Sequence, residues 1–140
     1  MGHMAHQQEI VRVDSKGRVT IPAYMREELG MHDGSYASVR IDRESQTISV
    51  GLFAGPGAKL VQMKMVISDR PGALARIART LSELNLDLLI SNSRTIRKGE
   101  LAEWVVVADF AGSAMTIEDV KRKLLANKDA TVVETKEMAD

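Results

Sequence analysis

The sequence predicts an α+β protein built in two parts, and three observations carry that prediction. From residue 59 onward the apolar positions change period in the order strand, helix, strand, strand, helix, strand. From Glu9 to Val50 the pattern is instead two short hairpins around one short helix. Between them, Gly51-Leu52-Phe53-Ala54-Gly55-Pro56-Gly57-Ala58 is the one stretch dense in Gly and Pro, and it reads as an interdomain linker. The chain of 140 residues suits one ordinary domain or two small ones. The expected division is a tail over 1–8, a first domain over 9–50, a linker over 51–58 and a second domain over 59–137.

Composition limits the function classes. Nineteen basic and nineteen acidic residues give a formal net charge of zero, so binding to nucleic acid through bulk charge is disfavoured and any such contact must be local. With no cysteine, disulfides, cysteine zinc sites and a thiol nucleophile are excluded. No apolar run is long enough to cross a bilayer and no secretory segment is present, which points to a cytoplasmic protein without a membrane partner. Met1-Gly2-His3-Met4 reads as a cloning scar. His6 and His32 have no ligand pattern near them, so neither a metal site nor a cofactor is expected.

In the first part, Val11 and Val13 alternate with polar neighbours, Ser15-Lys16-Gly17 turns, and Val19 and Ile21 resume the alternation. Pro22 opens a helix whose Met25 and Leu29 share a face, and Gly30 ends it. After the Asp33-Gly34 turn, Ala37, Val39 and Ile41 form one strand face, answered by Ile48 and Val50. A unit of about forty residues is too small for a self-sufficient core, so it should fold with a partner copy. The run Ser15-Lys16-Gly17-Arg18-Val19-Thr20-Ile21-Pro22, followed by Met25-Arg26-Glu27-Glu28-Leu29-Gly30 and the Gly34 turn, resembles the AbrB/SpoVT family over Glu9 to Val50. That resemblance implies a swapped-hairpin, β-barrel-like dimer that binds double-stranded DNA through Arg12, Lys16, Arg18 and Arg26. Some members carry a second Arg directly after the position of Arg26, where this chain has Glu27. Antitoxins of the MazE type share the fold and bind a toxin as well as DNA.

The second part opens with a strand over Leu60 to Ile67, then turns through Asp69-Arg70-Pro71-Gly72. Pro71 suits the first position of a helix, and Gly72 permits close approach to the backbone. Unpaired amides at that helix start would suit a small carboxylate, although for the turn taken alone a plain cap by Ser68 or Asp69 is the simpler reading. The helix carries Leu74, Ile77, Ala78, Leu81 and Leu84 as its apolar stripe. Leu86 to Ile96 and Ala102 to Phe110 form a long hairpin across Arg97-Lys98-Gly99-Glu100. Thr116 and Asp119 have capping-box spacing, with Met115 and Val120 placed as its hydrophobic staple, so the second helix starts at Ile117. Lys121, Arg122 and Lys123 read as a solvated face, and Ala130 to Lys136 is the last strand. Right-handed crossovers fold this βαββαβ order into a ferredoxin-like sandwich.

The Asp69-Arg70-Pro71-Gly72-Ala73-Leu74 turn, with Leu84-Asn85-Leu86-Asp87-Leu88 after it, resembles the ACT domain family from Lys59 to about Glu137. The resemblance implies a regulatory module that binds an amino acid between two copies. Asp69, Arg70, Pro71, Gly72, Ala73 and Leu74 would come from one copy, and Asn85, Asp87, Ser91 and Asn92 from the other. A carboxylate on the Gly72 to Leu74 amides and an ammonium at Asp87 or the Asn85 carbonyl would be complementary; other ACT domains serve only to dimerise.

Together these readings describe a DNA-binding transcription regulator with an ACT effector module, a homodimer or higher even oligomer responsive to a small molecule. No nucleophile, base and orienting group converge in the sequence, so an enzyme is not expected. The alternatives are an antitoxin-like binder of DNA and protein, and a regulatory subunit of a metabolic enzyme.

Overall fold

The computed structural model describes residues 7–138. The proposed scar at Met1 to Met4, and His6, lie outside the described residues. The chain divides into two compact units, Met1–Pro56 and Gly57–Asp140.

Unit 1 contains α1 (Ala23–Leu29), β1 (Tyr36–Asp42) and β2 (Thr47–Ala54). Gly30 adopts φ 71° beyond α1. Its N–H bonds to the Glu27 carbonyl and the Met31 N–H to the Arg26 carbonyl, which is a Schellman closure. β1 and β2 pair antiparallel with Ala37 opposite Leu52, Val39 opposite Val50 and Ile41 opposite Ile48, so these six side chains share one face. That face is open: Val39, Ile41 and Ile48 are 66%, 62% and 68% exposed. No described residue of the unit is buried.

Two expectations for this region are corrected. The first hairpin forms only its tip, where Asp14 N–H bonds to the Arg18 carbonyl and Gly17 N–H to the Asp14 carbonyl. Its arms make no strand ladder, because a lone two-stranded ribbon with Val11, Val13 and Val19 in water buries too little to hold itself. The stretch read as a linker starts later than expected. Gly51 to Ala54 belong to β2, where Leu52 and Ala54 pair with β1 across a bulge at Tyr36/Ala37, leaving Gly55 to Ala58 outside the strands.

Unit 2 has the order β3 (Leu60–Ser68), α2 (Ala73–Glu83), β4 (Asp87–Arg97), β5 (Leu101–Asp109), α3 (Ile117–Ala126) and β6 (Ala130–Glu137). The sheet order is β4-β5-β3-β6, antiparallel throughout. Val61, Met63, Met65 and Ile67 of β3 lie opposite Ala108, Val106, Trp104 and Ala102 of β5, and together with Ile77 and Leu81 of α2 and Val120 and Leu124 of α3 they form the buried core. Thr116 Oγ accepts the Asp119 N–H at 3.1 Å and caps α3, while Met115 and Ile117 pack on the core beside it.

The stripe on α2 differs from its sequence reading at one end. Ala73, Ile77 and Leu81 are fully buried, whereas Leu74 is 40% exposed. Pro71 does not begin the helix. The Ala73 N–H bonds to the Arg70 carbonyl at 3.1 Å and Gly72 sits at φ 86°, ψ −11°, so Arg70-Pro71-Gly72-Ala73 is a type II turn with Pro and Gly in their favoured places. The helix therefore starts at Ala73, which rotates the stripe by one residue.

Candidate functional site

Two local arrangements bear on function, one in each unit. In unit 1 the hairpin tip is organised by Asp14. Its Oδ1 accepts the N–H groups of Lys16 and Arg18, both at 2.9 Å, and its Oδ2 accepts Arg18 Nε at 2.8 Å. These bonds, the Arg18 amide first and its guanidinium second, hold the Asp14 carboxyl below the usual carboxylate range. Arg18 remains 70% exposed despite the pairing. Arg26 on α1 donates Nε to the Ile21 carbonyl at 3.0 Å, which ties the returning hairpin arm to the helix. The side chains of Arg12 and Lys16 have no hydrogen-bond or ion-pair partner among the described residues. All four basic positions are exposed.

In unit 2 the turn at 68–74 is fastened on two sides. Asp69 Oδ2 accepts the Gly99 N–H at 2.9 Å and Asp69 N–H bonds to the Glu100 carbonyl at 3.0 Å, tying the turn to the β4–β5 hairpin. On the other side, Ser68 N–H bonds to the Asp129 carbonyl at 2.8 Å. The Asp129 carboxylate takes Arg76 Nε at 2.6 Å and Nη2 at 3.0 Å. The Arg76 side-chain bond holds the Asp129 carboxyl below its ordinary value, and the same bond raises Arg76.

Between these fastenings lies a cavity of 170 Å³ lined by Ser68, Asp69, Arg70, Gly72 and Leu74 from the turn and by Ser93, Arg94 and Thr95 from β4. Leu74, turned out of the core, supplies an apolar wall. Ser93 and Thr95 were absent from the residues singled out in the sequence. Their signal was available, because Ser91, Ser93 and Thr95 recur with period two and pair with Val106, Trp104 and Ala102 on one face.

The remaining candidates are not brought to this cavity within one chain. Asp87 pairs with Asp109 at one end of the hairpin, and Arg97 with Leu101 at the other, next to Ser68. The eight residue steps of strand from Asp87 to Thr95 span roughly 27 Å. Asn85 has φ 59° and serves as the left-handed residue after α2. Its N–H bonds to the Ser82 carbonyl and the Leu86 N–H to the Leu81 carbonyl, a second Schellman closure. The Ser91 hydroxyl accepts the Trp104 indole N–H at 2.6 Å, while Asn92 lies on the opposite sheet face with Val105. The Ala73 amide is engaged by Arg70, which takes it out of the group of amides facing a carboxylate.

A four-stranded antiparallel sheet under two helices, with a small polar-rimmed cavity at the first strand–helix turn, defines a compact α/β-sandwich module. Residues 62–127 match the ACT domain family, and unit 2 carries an ACT domain, a kind of module that suggests regulation by a small molecule. No curated protein matches the chain. Among solved structures, an uncharacterized protein from Thermotoga maritima is similar at 20% identity and TM-score 0.46, covering 59% of this chain and 99% of that one. The P2 domain of the chemotaxis kinase CheA in complex with the response regulator CheY, also from Thermotoga maritima, is similar at 16% identity and TM-score 0.43, covering 58% and 99%. The C-terminal domain of the MgtC protein from Mycobacterium tuberculosis is similar at 12% identity and TM-score 0.43, covering 59% and 90%. At such identities and TM-scores nothing about those proteins transfers to this chain. Among the described residues, no helix is long and apolar enough to cross a membrane.

Proposed function

We propose that the chain is a non-catalytic, cytoplasmic transcription regulator in which unit 1, paired with a second copy as a swapped-hairpin module, binds double-stranded DNA, and the ACT domain senses a small amino acid. The observation that carries this reading is the character of unit 1. It exposes a continuous apolar sheet face and an ordered basic tip, and it is joined within one chain to an ACT domain. An apolar face of this kind calls for a partner, and Lys16 and Arg18 at the tip supply the local positive charge that a neutral chain needs to engage DNA.

β4 is a long edge strand with no strand paired to its outer side among the described residues, the arrangement that templates pairing with another strand. A second copy laid antiparallel along β4 brings its Asn85 and Asp87 toward the first copy's 69–74 turn and completes the amino-acid site that one chain leaves open.

The test is duplex binding by the full chain, followed by fluorescence anisotropy as salt rises from about 50 to 200 mM. Affinity is expected to fall steeply, and the Arg18→Ala, Arg26→Ala variant to lose most of it. Absence of binding at low salt refutes the DNA reading. A thermal-shift screen of the twenty amino acids tests the ACT site, since a ligand held only by the folded state raises its apparent stability.

A further inference from the structure

The four candidate DNA-contacting side chains of unit 1, Arg12, Lys16, Arg18 and Arg26, fall into two kinds. Arg18 and Arg26 each have Nε engaged inside the chain, by the Asp14 carboxylate at 2.8 Å and by the Ile21 carbonyl at 3.0 Å. Neither makes an Nη hydrogen bond to any described residue. Arg12 and Lys16 have no such restraint among the described residues.

We infer that Arg18 and Arg26 are the base-reading pair, that Arg12 and Lys16 are the phosphate pair, and that Asp14 is the positioning residue that aims Arg18. This rests on the DNA-binding reading of unit 1. A guanidinium is a planar fork of five donors, and engaging Nε leaves the two Nη groups as a forward-facing edge. Two parallel N–H donors match O6 and N7 of guanine, the commonest specific contact in the major groove. A side chain already held in the free protein loses less freedom on docking, which favours a contact that demands orientation. An unrestrained Lys or Arg follows a phosphate as readily on one sequence as on another.

Charge supports the same division. The Asp14 carboxylate stands against Arg18 and offsets part of its attraction for any phosphate, leaving its hydrogen-bond geometry as the larger contribution. Arg26 gets its orientation from a neutral carbonyl and keeps its full charge. Asp14 therefore raises discrimination between sequences and lowers affinity for arbitrary DNA. It also forms the turn itself, because Oδ1 receives the Lys16 and Arg18 amides.

The Asp14→Asn variant separates these two roles. Its side-chain oxygen still accepts both amides, so the turn stays, while the charge and the Oδ2 acceptor for Nε are lost. The probes are a duplex enriched by the wild-type chain from a random pool and a random-sequence duplex of equal length. For Asp14→Asn, affinity for the random duplex is expected to rise, the salt slope to steepen by about one, and the enriched-to-random affinity ratio to fall about tenfold. Arg18→Lys, which keeps charge without the fork, is expected to lose the ratio similarly. In the DNA-free protein, the Arg18 Nε–H resonance should be protected from exchange in the wild type and not in Asp14→Asn. An unchanged ratio and slope in Asp14→Asn, with the wild type discriminating normally, overturns the positioning role alone. A wild type that enriches no duplex overturns the DNA-binding reading and this inference with it.

Discussion

Ser91 separates a structural role from a ligand-binding one, and its replacement by Ala is the most informative single change in unit 2. Its hydroxyl accepts the Trp104 indole N–H at 2.6 Å, and Trp104 is only 2% exposed. Ser91→Ala removes the acceptor and leaves the donor, the costly half of a hydrogen-bond deletion, worth about 1 to 3 kcal/mol. Ser91 itself is exposed on the edge strand, so in an isolated chain water can replace it and the loss lies near about 1 kcal/mol. If a second copy covers β4 and excludes that water, the loss moves toward about 3 kcal/mol. Trp104 is the sole tryptophan, so its fluorescence during urea unfolding reports on unit 2 alone. With a slope of about 1 kcal/mol/M for a unit of this size, the midpoint should fall by about 1 to 3 M at fixed protomer concentration. Ser91→Thr keeps the hydroxyl on a residue suited to strands and should stay close to the wild type. A loss below about 0.5 kcal/mol in Ser91→Ala, or an equal loss in Ser91→Thr, refutes the reasoning.

Gly72→Ala should destabilise unit 2 by about 1 to 2 kcal/mol in the same assay, because φ 86° penalises a side chain and the new Cβ falls 2.8 Å from Arg76 Nη1; Gly72→Asn should lose less. The Asp129 carboxyl is held below its ordinary value mainly by the Arg76 side-chain bond, so the unfolded chain binds its proton first as pH falls. That contribution is complete above the unfolded value of about 3.9 and is lost as pH drops through the lower folded value. Melting temperatures from pH 7 to pH 3 should accordingly fall less steeply for Asp129→Asn than for the wild type. Light scattering should show an even oligomer for the wild type, and Ile41→Asp with Ile48→Asp, which places two carboxylates opposite each other on the open face of unit 1, should dissociate it or unfold that unit.

The order and type of the elements in unit 2 were determined by the sequence alone, because each rests on local chemistry. Period-two alternation in Val61 to Ile67, the Thr116 cap with its Met115 neighbour, and the turn residues around Gly99 act over a few positions and fold the same way wherever they are placed. The apolar faces of β1 and β2 were likewise legible, since a strand's two faces follow from alternation, while the register that sets Val39 against Val50 and Ile41 against Ile48 came from the fold. What only the tertiary structure decided depends on groups distant in sequence. Pro71 and Gly72 were compatible with a helix start or a type II turn. The choice went to the turn, which rotates Leu74 out of the core and seats Ala73 in it. Asp69 reads from the sequence as a cap or a ligand contact, and only the fold shows that its carboxylate receives the Gly99 N–H, thirty residues on. That Asn85 also closes α2 through its own N–H and that of Leu86 became visible only in the fold. The first hairpin failed to form a ladder for a related reason. Its valines carry the right local pattern, but alternation only offers a face to be buried, and burial requires a surface that one copy of unit 1 does not provide.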